Sequence, residues 1–402
     1  MRMTRRPLLP SVLLAVGLAF SGNAALESVH IADVPDYEWD YGCFGTATGN
    51  LFGFWDRNGF PDFYTGPTSG GVAPLDSRRS AGHSGIRSLW ASAAGVDGRP
   101  SNRPGHVDDY YVAYESVAED PFVTAGRAEH TADCIGDFIG LNQKKWTDLN
   151  GECRGNIDGY SFVFWNGSGA RRDARPGFEP SIPKRSDIPS GLIDWTRFRG
   201  YDGEAFCQLA DFNPVVTGGR GFTFEDLKSE IDAGYPVLLY LQPTSQLSRT
   251  LGGQSRVNPD IHGMLAYGYL IEDDGTRFVR FRTSWGSGDF VFAVWGPEPW
   301  TPLGILNFPL RGVVGYHPKP KIRSVSREGA NLVLRWDASD ANLVDDLTGD
   351  IRAAQLHVVE WADSPAASVW TAVSEPLKTR ELRVPLPSTD RVFYRVRSVP
   401  TR

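Results

Sequence analysis

The chain reads as α+β, with a helical front lobe, an antiparallel sheet behind it and an all-β sandwich at the end. Three observations predict this. Ala47, Leu51 and Trp55 fall four apart, and residues 223–233 fit a helix bounded by a cap and a stop. From residue 236 to residue 316 the runs "PVLLYLQ", "GMLAYGYLI", "RFVRFRT", "DFVFAVWG" and "RGVVGY" have strand character. After the stretch "HPKPK" (317–321), short alternating runs recur to the end of the chain. Helices first and antiparallel strands after them is an α+β order.

In chain order, Arg2, Arg5 and Arg6 precede an apolar run from Leu8 to Phe20 and the small residues "SGNAA". This is the pattern of a secretory signal, with cleavage expected near Ala24. Its three arginines leave with it, taking the formal charge from −7 to −10. With no basic stripe, nucleic acid is not an expected partner. No later run is apolar enough to span a bilayer, so a secreted, periplasmic or cell-envelope location is expected.

The first helix follows Cys43 and is broken by "RNGFPD"; a second fits 131–146. The third, over 223–233, has Thr223 as cap, Asp226 three residues on, and Gly234 with Pro236 as its stop. Residues 64–107 and 165–200 are rich in Gly, Pro, Ser and Arg and read as surface loops. The expected domains are 33–316, and an independent sandwich over 319–402 with Trp336 at its centre.

Two residues invite chemistry. Cys43 stands at a helix start, where unpaired N–H groups and the helix dipole favour a thiolate. A thiolate needs a proton acceptor from elsewhere in the fold. His262 begins an apolar strand that would fix its position. At most one disulfide is expected among Cys134, Cys153 and Cys207 if Cys43 stays a thiol, and no two cysteines have the spacing of a metal site. No metal or cofactor is expected. "HVDDYY" (106–111) reads as a turn rather than a Ca²⁺ site, "HTADC" (130–134) as a helix cap, and "NGS" (166–168) matches a glycosylation sequon.

"YGCFGTATGNLFGFWDRNG" (41–59) resembles the nucleophile helix of papain-like cysteine peptidases. It is closer still to secreted relatives of the bacteriocin-processing, double-glycine-leader peptidases. Those open Tyr-Gly-Cys-x-x-Thr-Ala, continue as an apolar helix and end G-[FY]-[WY]-D. "GRPSNRPGHVDDYY", "HTADCIGDFIG" and "FTFEDLKSEIDAGYPVLLYL" are similar to further segments of those relatives, and "HGMLAYGYLI…FRTSWG" to their His strand and the Trp-Gly strand after it. The resemblance spans roughly 35–300 and implies a papain-like fold with Cys43 as nucleophile and His262 as general base. The place of the family's Asp or Asn is held by Thr283, whose hydroxyl is expected to accept from the imidazole N–H; Asp260 and Asp289 are alternatives. The upstream Gln that would help bind the oxyanion is missing, and Tyr37 or Trp39 is expected to donate instead. The last 80 or so residues resemble a fibronectin type III module, on the Trp336 strand, Trp361 and "FYRVR".

The function implied is hydrolysis of peptide or related acyl bonds, with a peptide or protein as substrate. The alternative is a catalytically impaired papain-like binding protein of the cell envelope, with a peptide or glycan ligand. A purely structural envelope protein is the third reading.

Overall fold

The computed structural model describes residues 25–38, 43–61, 63, 72–76, 135–139, 163, 165–176, 187–212, 217–241, 262–286, 291–300, 309–388 and 391–401. The fold is mixed, with few helices and mostly antiparallel sheet.

Helix α1 (Cys43–Arg57) is buried from Cys43 to Asp56. Its glycines at 45, 49 and 53 each cost about 1 kcal/mol against alanine. The helix therefore owes its stability to packing of Phe44, Leu51, Phe52, Phe54 and Trp55 into the core. The Thr48 hydroxyl is satisfied by donating to the Phe44 carbonyl at 2.6 Å. Helix α2 (Ile135–Ile139) lies within the expected second helix; the rest of 131–146 lies outside the described residues.

Helix α3 (Ile188–Phe198) corrects the expectation of a surface loop over 165–200. Asp187 caps it, accepting from Ser190 N–H at 3.2 Å, and Ile188, Leu192 and Trp195 are buried. Pro189 suits a first turn, where N–H groups lack helical partners anyway. Helix α4 (Phe224–Asp232) has the expected capping box between Thr223 and Asp226.

The strands are β1 (Ala25–Ile31), β2 (Arg172–Asp173), β3 (Gly203–Leu209), β4 (Val237–Leu241), β5 (His262–Glu272), β6 (Arg277–Arg282), β7 (Val291–Val294) and β8 (Leu310–Pro318). They continue as β9 (Lys321–Glu328), β10 (Asn331–Asp337), β11 (Asn342–Asp345), β12 (Ile351–Ala353), β13 (Gln355–Ala362), β14 (Thr371–Ala372), β15 (Glu381–Pro385) and β16 (Phe393–Pro400). The large sheet runs β12-β11-β1-β5-β4-β8-β3-β2, with β6 and β7 branching from β5. Strand β6 pairs with 265–271 of β5, overlapping both the β4 partners (262–266) and the β1 partners (268–272). A strand has two edges, so β4 and β1 share one and β6 takes the other.

The C-terminal part holds two three-stranded sheets, β15-β10-β9 and β14-β13-β16. Their shared core includes Leu334, Trp336, Val359, Val384 and Val396, and Trp336 is buried as expected. Two features join this part to the rest of the chain. The expected linker is mostly strand: β8 runs through Pro318 and β9 starts at Lys321. The β11–β12 hairpin leaves the sandwich and adds to the edge of β1, with Val29 opposite Asp345 and Ile31 opposite Leu343. Asp346, beyond β11, accepts from the Ser28 hydroxyl at 2.8 Å and pairs with Arg280 at 3.1 Å. Strand β1 itself lies N-terminal to the expected 33–316 domain.

No helix among the described residues is long and apolar enough to cross a membrane. The expected signal segment, 1–24, lies outside the described residues.

Candidate active site

The second residue of α1 rests on the second residue of β5. A Cβ on Gly263 would stand 2.6 Å from the Phe44 ring. Glycine is thus required there, and the contact brings the first residues of the two elements, Cys43 and His262, to the same end of the sheet. Tyr240 of β4, directly across from Gly263, packs its ring 4.9 Å from Phe44. Cys43 is 1% exposed and His262 4%.

The imidazole is held from two directions. Its Nε2 lies 2.7 Å from the backbone carbonyl oxygen of Thr283. A carbonyl only accepts, so Nε2 carries the proton and Nδ1 is left as the basic nitrogen in the neutral ring. Trp285 stacks on the ring, with centroids 4.4 Å apart and planes at 21°. Burial pushes the His262 pKa down to about 4, and the bond to the Thr283 carbonyl opposes this only in part. At neutral pH the imidazole is an uncharged base.

The turn after β6 carries this arrangement. Ser284 has φ of 67°, a left-handed conformation that is costly for a residue with a Cβ. Its hydroxyl donates to the Gly263 carbonyl at 2.8 Å, tying the turn to β5. Gly286, at φ of 61°, lies against Glu38, so the segment upstream of Cys43 passes beside the turn.

Two expectations need correction. Thr283 meets His262 through its carbonyl; its hydroxyl accepts from Trp285 N–H at 3.2 Å. The strand end turns the backbone, and not the side chain, toward the ring. Tyr37 is not an oxyanion donor to Cys43. Its ring lies over Gly53 and its hydroxyl donates to the Pro74 carbonyl at 2.7 Å. At 1.5 Å rise per residue, Gly53 is about 15 Å along α1 from Cys43. Trp39, Asp260, Asp289, Cys134, Cys153, 106–111 and 130–134 lie outside the described residues. Cys207 is buried on β3, opposite Val314 and Arg172. Asn166 of the sequon is exposed and accepts from the Ser168 hydroxyl at 2.8 Å. Among the described residues no three His, Cys, Asp or Glu gather as a metal site.

Residues passed over in the sequence also collect here. The β4–β8 register shifts between Tyr240, opposite Gly312, and Leu241, opposite Leu310. Arg311 is the extra residue of that bulge, 6% exposed. Trp165 lies edge-on to Tyr240, centroids 5.5 Å apart, and the Arg311 guanidinium stands 5.8 Å from the Trp165 ring. An arginine inside the otherwise apolar "LRGVVGY" was the available signal.

Compared with known proteins, the chain matches no family model, no curated protein and no solved structure.

Proposed function

We propose that this chain is an exported cysteine-peptidase-like hydrolase of papain-like fold, with a fibronectin-type C-terminal module, acting on peptide or related acyl bonds. The observation that carries the reading is the fixed tautomer of His262 at the sheet end where Phe44 seats the cysteine helix. A neutral imidazole with Nε2–H engaged by a carbonyl has one remaining role in proton transfer, acceptance at Nδ1.

In this reading the Cys43 thiol attacks a substrate carbonyl carbon as its proton passes to His262 Nδ1. The C–S bond forms and the carbonyl pair moves onto oxygen. The pair returns, the leaving amine or alkoxide takes the proton from the imidazolium, and a thioester remains. Water then attacks the thioester, giving a proton to His262, and the thiol is released. The low pKa of His262 favours a resting pair of thiol and imidazole over thiolate and imidazolium.

A second reading, an impaired peptide- or glycan-binding protein of the envelope, draws support from the same burial. Cys43 is nearly closed to solvent, and among the described residues no charged partner is bonded to His262. Iodoacetamide labelling of the exported protein separates the two. The hydrolase reading expects His262 to take the thiol proton as Cys43 is alkylated, so that His262→Ala slows the labelling near neutral pH. Labelling unmoved by His262→Ala leaves the binding reading.

A further inference from the structure

A cysteine acyl transfer places negative charge on the substrate oxygen, and the expected donors for that oxygen have been removed from contention or lie outside the described residues. Three strands have their ends side by side at His262, one residue from the seat of Phe44: Leu241 closes β4, His262 opens β5 and Leu310 opens β8. The side chain on the cysteine side of that edge is Tyr240, which shares Phe44 with Gly263. We propose that the Tyr240 hydroxyl is the oxyanion donor of this site and that Arg311, displaced by the β8 bulge, is the positioning residue behind it. The proposal rests on the hydrolase reading and supplies the group that reading lacks.

Four observations support it. Bulges beside active sites re-aim side chains, and here the extra residue is a buried arginine at the strand end nearest the cysteine. Tyr240 lies within electrostatic reach of both groups. Burial raises its pKa most, the charge of Arg311 pulls it down and that of Cys43 pushes it up. The phenol consequently keeps its proton at neutral pH, where it donates to an oxyanion. Finally, Trp165 and Phe44 flank the phenol ring, at 5.5 and 4.9 Å, and limit its swing; a fixed donor needs no reorganisation as charge develops.

During acylation the donated proton stays on Tyr240. The oxygen that receives the carbonyl pair accepts a hydrogen bond from the phenol, and the bond weakens when the pair returns and the leaving group departs. Arg311 makes the phenol a stronger donor through its field.

The test compares two reactions of one thiol in the full exported chain. p-Nitrophenyl acetate acylates Cys43 through a tetrahedral oxyanion; iodoacetamide alkylates it by direct displacement, with none. Tyr240→Phe is expected to slow the acylation about a hundredfold and to leave alkylation within about threefold of the native rate. Arg311→Met should slow acylation alone by about tenfold, with Arg311→Lys restoring most of it. Equal slowing of both reactions by Tyr240→Phe would make Tyr240 a packing residue and overturn the proposal. So would no slowing in either. If Cys43→Ala releases p-nitrophenol as fast as the native chain, the hydrolase reading itself is lost, a result distinct from an ester activity that depends on Cys43 but ignores Tyr240.

Discussion

His262 and His357 are built alike and placed differently. Each is buried, each donates Nε2–H to a backbone carbonyl, of Thr283 at 2.7 Å and of Ser339 at 2.9 Å, and each has its pKa lowered by burial. His357 sits on β13, where the sandwich meets the large sheet, with Leu377 as its bridge partner and the Ser398 hydroxyl 3.5 Å from Nδ1. His262 sits at a strand end against an indole, beside a helix that starts with cysteine. A neutral imidazole with a defined tautomer is thus a common product of burial. What distinguishes a catalytic candidate is what stands at the second nitrogen.

The largest expected effect breaks or upholds this comparison directly. His262→Ala should reduce Cys43-dependent ester cleavage by about 10²–10⁴-fold, the usual worth of a general base, while His357→Ala leaves it nearly unchanged. Similar losses from both variants would mean that the fold, and not the base, is being measured.

Acid should act on both histidines in the same direction. Their folded-state pKa values lie below the unfolded value, so the unfolded chain takes up protons first and stability falls as the pH drops. For His262 the loss starts near pH 6.5 and is complete near pH 4, amounting to up to about 3 kcal/mol. Urea titrations at pH 7, 5.5 and 4 would measure it. The native chain should lose more over this interval than His262→Gln, and equal slopes would contradict the assignment.

Gly263→Ala sharpens the contrast between site and scaffold. The added Cβ meets the Phe44 ring, and the overpacking should cost about 1–3 kcal/mol. It should also displace the start of α1, slowing iodoacetamide labelling of Cys43. A thermal melt paired with labelling rates checks both; destabilisation with unchanged labelling would show that Phe44 does not set the position of Cys43.

The smallest effect belongs to Thr283→Ala. The carbonyl that holds His262 survives the substitution, so ester cleavage should change by less than about threefold, and a large loss would restore the hydroxyl to the role expected from the sequence.

These cases also show what local sequence can convey. Ala47, Leu51 and Trp55 reveal α1 because helical spacing is local, and Thr223 with Asp226 reveals α4 because a capping box spans four residues. His262 was visible as the polar start of an apolar run. Helix α3 was obscured by Pro189 and Gly191, which read as loop unless Asp187 is taken as a cap. The Thr283 carbonyl is backbone and has no letter of its own. Tyr37 was misassigned because distance along the chain does not tell which turn of α1 a side chain meets. The Arg311 bulge and the β1–β11 pairing depend on register between distant strands, which no window of adjacent residues contains.

That last pairing bears on how the protein is made. Ser28 and Asp346 are 318 residues apart, and on a ribosome β1 emerges long before the hairpin that covers its outer edge. Until 342–353 are synthesised, β1 presents an unpaired strand edge, the kind of surface that recruits other chains. Closing so long a loop is also slow. Completion of the large sheet therefore waits for the hairpin to be made, and a polypeptide cut short before it would expose a sticky edge instead of a finished sheet.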